Sequence, residues 1–147
     1  MNLRLNKLRE LIKENDCNAC LISGRANTLY FSGFTGSTSL LLIGIDKAWL
    51  IVDFRYTIQA KEQVFEGIEV VEIEESFYST LNEIVKQNLI DTIGFEGQAI
   101  TVTEYNRIKE NLASIKRLIR FDSQIDWIRS IKDADEIEQI QQAVLLG

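Results

Sequence analysis

The sequence predicts an α/β layered domain built on a mixed β-sheet. Three observations carry that prediction. Short apolar runs alternate with segments of helical period along most of the chain. One pair of apolar runs, Ser39–Ile43 and Ala48–Val52, is joined by Gly44-Ile45-Asp46-Lys47, a hairpin signal that adds an antiparallel pair and makes the sheet mixed. Hydrophobic residues make up 46% of the 147 residues and charged residues 26%, the balance of one globular domain rather than a disordered chain.

The elements come in this order. Leu5, Leu8 and Ile12 fall at i, i+3, i+7 and predict an amphipathic helix over 2–15. Ala19–Ile22 reads as a strand, and Asn27–Phe31 as a short helical turn ahead of a glycine loop. After the hairpin, Tyr56, Ala60 and Val64 at i, i+4, i+8 mark a helix, and Glu69–Ile73 alternates as a strand. Ser76 is placed to N-cap a helix carrying Phe77, Leu81, Ile84, Val85 and Asn88 on one face. Thr92–Glu96 is a strand. Thr101 and Glu104 form a capping-box pattern ahead of Tyr105, Ile108 and Leu112, and Lys116–Ile119 is a last short strand.

The tail is different. Ser123–Ile131 reads as a short helix or linker, and Asp133 with Glu136 repeats the capping-box pattern. Ile137, Ile140 and Val144 then fall at i, i+3, i+7. A lone helix of about fourteen residues is marginal in water, so an apolar stripe with no later partner suggests a domain junction. The alternative is a terminal helix that docks back on the same domain. The division expected is 1–121 for one domain and 122–147 for a linker plus the first helix of another.

Composition excludes several functions. The net charge of −6 and a pI near 4.8 lack the basic footprint that displaces counterions from nucleic acid; the nearest approach is Lys116-Arg117-Leu118-Ile119-Arg120. No window reaches about 18 uninterrupted apolar residues, so no membrane span is expected. Met1–Lys7 has no apolar signal core, and two cysteines fit a reducing compartment, so the expected location is cytoplasmic. Cys17 and Cys20 have a C-x-x-C spacing, but the order is helix then strand, the reverse of a redox pair at a helix N-terminus. The expectation is Cys20 in the core and Cys17 in a loop. A structural zinc needs four ligands, and there is no histidine and no second cysteine pair.

The absence of histidine also removes the imidazole base and any Ser-His-Asp or Cys-His nucleophile. Carboxylates are plentiful, but no pair stands out for glycosidase chemistry. The run Gly33-Phe34-Thr35-Gly36-Ser37-Thr38 precedes a strand and carries no Lys, so it is not a phosphate loop. It is either a flexible turn or a surface loop presenting Phe34, Ser37 and Thr38 to a partner, with Gly36 supplying backbone freedom. Asp53 and Arg55, beside Tyr56 at a strand end, read as a helix cap with a salt bridge, or as substrate support. Trp49 and Trp127 read as core or interface residues.

Four segments in order now carry a resemblance. They are Asn27 to Ser37, Leu50 to Ala60, Ile93-Gly94-Phe95-Glu96, and Ile128 to Ile137 with its Arg129, Lys132 and Glu136-Ile137. Together they resemble the amino-terminal domain of the Xaa-Pro dipeptidase and aminopeptidase (prolidase, creatinase) family. The one departure is Asp133-Ala134-Asp135 where relatives often show Ser-Pro-Glu, which keeps an N-cap. The resemblance implies a three-layer, ribonuclease-H-like α/β domain that does no chemistry itself. It implies a carboxy-terminal catalytic domain holding two divalent metals (manganese, cobalt or zinc), a homodimer, and a proline-containing peptide substrate. By position, the loop that would narrow the active-site entrance is Phe34, Gly36, Ser37 and Thr38, with Asp53, Arg55 and Tyr56 as support. No catalytic or metal-binding residue is expected in this chain. Two other implied readings are a peptide- or protein-binding module of the same fold and a creatinase-like hydrolase.

Overall fold

The alternation of runs and helical segments is realised as six strands and six helices in a computed structural model, which describes residues 3–130 and residue 141. In chain order these are α1 (Leu3–Glu14), β1 (Ala19–Ile22), α2 (Arg25–Ser32), β2 (Leu40–Gly44), β3 (Ala48–Val52), α3 (Thr57–Gln63), β4 (Ile68–Glu72), α4 (Phe77–Gln87), β5 (Thr92–Glu96), α5 (Val102–Asn111), β6 (Arg117–Phe121) and α6 (Ser123–Ser130). The expected helix carrying Ile137, Ile140 and Val144 lies outside the described residues, apart from Gln141, which is helical.

One sheet runs β4-β3-β2-β1-β5-β6. Only β2 is antiparallel to its neighbours. It pairs with β1 through Ala19↔Gly44 and with β3 through Ile43↔Ala48, and the remaining pairs are parallel. The carboxyl ends of β1, β3, β4, β5 and β6 therefore share one edge of the sheet with the start of β2. That edge is where open α/β sheets leave room for function.

Both faces are covered, so the strands are apolar almost throughout, and alternate side chains divide between two cores. On one face Cys20 and Ile22 pack with Leu5, Leu8 and Ile12 of α1, Phe31 of α2, Ala60 of α3, and Ile125 and Ile128 of α6. On the other, Ala19 and Leu21 pack with Leu81, Ile84 and Val85 of α4 and Ile108 and Leu112 of α5. Leu8 and Ile12 are fully buried, and each such side chain contributes roughly 1.5–3 kcal/mol.

The caps hold the helices at their predicted starts. Ser76 accepts from Ser79 N, and the Ser79 side chain bonds back to the Ser76 N–H, closing the box with a serine in place of Glu or Gln. Thr101 accepts from Glu104 N. Cys17 lies in the loop after α1 and Cys20 in the core, as expected; both are buried, and burial pushes each thiol upward. Neither is an activated thiol, and both are free.

Gly94 in β5 has the Phe121 ring where a Cβ would stand. Gly94→Ala therefore displaces that ring from the core. Urea unfolding should show a loss of about 1–3 kcal/mol, the range for overpacking.

Candidate functional site

The loop of residues 33–38 links α2 to β2 at the shared carboxyl edge, and the turn of residues 53–56 links β3 to α3 beside it. Gly33 ends α2 in the left-handed region (φ 82°) and donates to Leu29 O. A Cβ there would stand 2.8 Å from Gln63 O. So glycine is required both by the backbone turn and by the approach of α3.

The loop is neither a free turn nor a display for an aromatic. Phe34 is fully buried, which corrects the expectation that it is presented to a partner. Its ring meets Tyr56 edge-on at 5.9 Å, its N–H donates to Ser32 Oγ, and Gly36 folds over it with no space for a Cβ. The physical reason is the end of the α3 layer: it leaves an apolar slot between Tyr56 and the sheet, and the ring fills it. Thr35 is held from three sides. Its N–H donates to Gln63 Oε1 (2.9 Å), Gln59 Nε2 donates to its hydroxyl (3.1 Å), and Arg25 donates to its carbonyl (3.1 Å). Ser37 Oγ and Tyr56 OH share a hydrogen bond of 2.9 Å. The exposed polar tip is thus Ser37 and Thr38, with Gly36 buried against the Phe34 ring beside them.

Asp53 does not cap α3. The helix begins after Tyr56 without a side-chain cap. Instead Asp53 grips Arg55 with both oxygens, at 3.1 Å to Nε and 2.8 Å to a terminal nitrogen, and also accepts the Arg55 N–H. The guanidinium lies 5.4 Å from the Tyr56 ring. This turn supports the loop by fixing Tyr56, and Phe54 beside it is 77% exposed. Trp49 is in the core, while Trp127 on α6 is exposed.

Sequence reasoning missed two sets of residues. One is Gln59 and Gln63 of α3, whose i, i+4 spacing gives no hint of a loop on the far side. The other centres on Glu96, buried at the end of β5. Its Oε1 accepts from Ser23 N (2.8 Å) and Gly24 N (3.0 Å), and its Oε2 from Asn27 Nδ2 (2.7 Å). Asn27 Oδ1 in turn accepts from Arg129 of α6 (3.1 Å). Glu96 and Arg129 lie in the segments singled out by resemblance, but only the fold joins them. Among the described residues no group of three or more His, Cys, Asp or Glu converges as a metal centre would require. The resemblance places its two metals in a carboxy-terminal domain, and the described residues do not fit them.

The family model described as the creatinase/prolidase N-terminal domain matches residues 4–131. The chain belongs to that family. It is 35% identical over 145 residues to an uncharacterized peptidase, YqhT, of Bacillus subtilis, covering 99% of this chain and 40% of that protein. A solved Xaa-Pro dipeptidase from Bacillus anthracis superposes with a TM-score of 0.83 at 29% identity, over 92% of this chain and 37% of that one. The N-terminal domain of the cytoplasmic peptidase PepQ from Mycobacterium tuberculosis superposes at 0.78 with 31% identity, over 88% of this chain and 100% of that domain. The chain thus spans about 40% of the length of the curated relatives it matches. Among the described residues no helix is long and apolar enough to cross a membrane.

The Glu96 relay and the Asp53 turn each make a prediction. In Glu96→Gln, the amide NH2 cannot accept as the carboxylate does, so Asn27 must turn its own oxygen to it and its NH2 toward Arg129, donor against donor. Equilibrium unfolding should show a loss of about 1–3 kcal/mol. Arg129→Met should cost less in that background than in the native chain, and additive effects would contradict the relay. The second prediction concerns pH. Hydrogen bonds from Arg55 hold the Asp53 carboxyl below the ordinary aspartate value. A depressed carboxyl stabilises the fold above its unfolded pKa, and that contribution is lost as pH falls through the lower folded value. An NMR titration of Asp53 should show a midpoint under the ordinary value, and Arg55→Gln should return it upward.

Proposed function

We propose that this chain is the non-catalytic amino-terminal domain of a metal-dependent Xaa-Pro dipeptidase or aminopeptidase. The observation that carries the reading is coverage. A single family match takes in nearly all of the chain, while relatives and solved structures named as Xaa-Pro peptidases extend well beyond it. In this reading the boundary falls after residue 121, and 122–147 form a linker and the first helix of a carboxy-terminal catalytic domain. That domain supplies the two divalent metals (manganese, cobalt or zinc), the hydrolytic chemistry and the site for a proline-containing peptide. The parent is a cytoplasmic dimer.

The role assigned to the present domain is to help form the dimer and to shape the active-site entrance. The geometry supports this division of labour. The tip at Ser37 and Thr38 offers exposed hydroxyls, while Gly36 and Phe34 are buried beside it and Thr35 is fixed by α3. A pre-ordered loop narrows a neighbouring cavity without losing conformational entropy on binding. Phe34 contributes from beneath, as the anchor of the loop.

The purified 147-residue chain should cleave no Xaa-Pro dipeptide or longer Xaa-Pro peptide with manganese, cobalt or zinc added. Metal-dependent release of the amino-terminal residue by this chain alone would overturn the reading.

A further inference from the structure

A helix packed on a sheet turns its apolar side inward. α2 departs from that rule. Asn27, Thr28 and Ser32 are buried, while Leu29 is 46% exposed. Polar groups taken into the interior must find their partners within the protein.

These find them along one line. Arg129 of α6 donates to Asn27 Oδ1 (3.1 Å), and Asn27 Nδ2 donates to Glu96 Oε2 (2.7 Å). The other carboxylate oxygen accepts from Gly24 N (3.0 Å). The Gly24 carbonyl accepts the Thr28 hydroxyl (2.9 Å), and the Thr28 carbonyl accepts the Ser32 hydroxyl. Ser32 Oγ in turn accepts from Phe34 N (3.1 Å), the first residue beyond the left-handed turn at Gly33. Side-chain hydrogen bonds thus run from α6 to the base of the loop of residues 33–38.

A hydroxyl that bonds the carbonyl four residues back slightly weakens and bends a helix. Two of them in an eight-residue helix point to a task other than helix stability. The Ser32 hydroxyl is used twice, donating its one proton to Thr28 O and accepting from Phe34 N. In a low-dielectric interior such bonds reinforce one another and hold one arrangement.

We propose that this line makes the conformation of the loop depend on α6, with Arg129, Thr28 and Ser32 as positioning residues. A shift of α6 is felt by the Asn27 amide, then by the Glu96 carboxylate and the start of α2. The helix carries the change to its far end, where Ser32 holds Phe34. Thr35 is held separately from α3 by Gln59 and Gln63, so the effect is read at Phe34. Coupling between two sites is reciprocal, so a change at Ser32 is also read at Asn27. That the loop shapes an active-site entrance rests on the reading proposed above. The coupling does not, and it is measurable in this chain.

The test uses the isotope-labelled 147-residue chain and amide hydrogen exchange followed by NMR. Arg129 is only half-buried, so Arg129→Met keeps the fold. It should quicken exchange at Phe34 by about two- to thirty-fold, the span for mutations along coupled networks. Val85 of α4, in the core of the opposite face, should be unchanged. Asp126→Ala, at an exposed position of the same helix, should leave Phe34 at its native rate. Thr28→Val keeps the volume and removes the hydroxyl, and should quicken Phe34 as well, whereas Thr28→Ser should keep the native rate. In the reverse direction, Ser32→Ala should shift the Asn27 side-chain amide resonance, which simple loosening of the loop would not move. Native exchange at Phe34 in both Arg129→Met and Thr28→Val would overturn the proposal. Equal quickening in Asp126→Ala, or at Val85, would also overturn it, because the change would then be general loosening. None of these outcomes touches the activity reading above, which is tested by peptide cleavage.

Discussion

The buried Glu96 carboxylate is the interaction on which the arrangement of this domain's working edge depends. A carboxylate removed from water is costly unless its oxygens are fully engaged. Glu96 meets that condition with two backbone N–H groups before α2 and the Asn27 amide. Charge-assisted bonds of this kind are about twice as strong as neutral ones, and a negative charge at the start of a helix is favoured by the aligned peptide dipoles. Gly24 gives no side-chain cap, so a residue seventy-two positions later in sequence supplies what the local sequence lacks.

From that point order spreads in two directions. Along α2, the helix whose start Glu96 holds ends at Gly33, which sets where the loop toward β2 leaves the sheet. Through Asn27, the same carboxylate orients an amide whose oxygen receives Arg129, and so fixes α6 against α2. The loop of residues 33–38 and α6 are therefore referenced to one buried group.

The loop illustrates how a polar tip is made rigid. Gly33 and Gly36 look like flexibility in the sequence, yet each is there because another group stands where a Cβ would be: Gln63 O at the first and the Phe34 ring at the second. The conformational cost of ordering six residues is offset by a buried aromatic and by glutamines reaching across from α3. Glycine here serves close approach, not motion.

The sequence alone determined the order and kind of nearly every element, because apolar periods of 2 and 3.6 are local properties and the caps at Ser76 and Thr101 act within one turn. It also carried the family, since four short motifs in fixed order survive where single ones would not. Tertiary structure decided the rest. Phe34 looked exposed because a glycine-rich setting signals a surface loop, and nothing local shows that α3 leaves a slot for it. Asp53 looked like a cap because it precedes a helix, but Arg55 two residues away offers its carboxylate more donors than the helix end does. Glu96 read only as the last residue of a strand and of one motif. Its task is visible only once β5 lies beside β1, bringing residues 23, 24, 27 and 129 around it. Long-range hydrogen bonds are chosen by burial and by which strands pair, and neither is written in the few residues on either side.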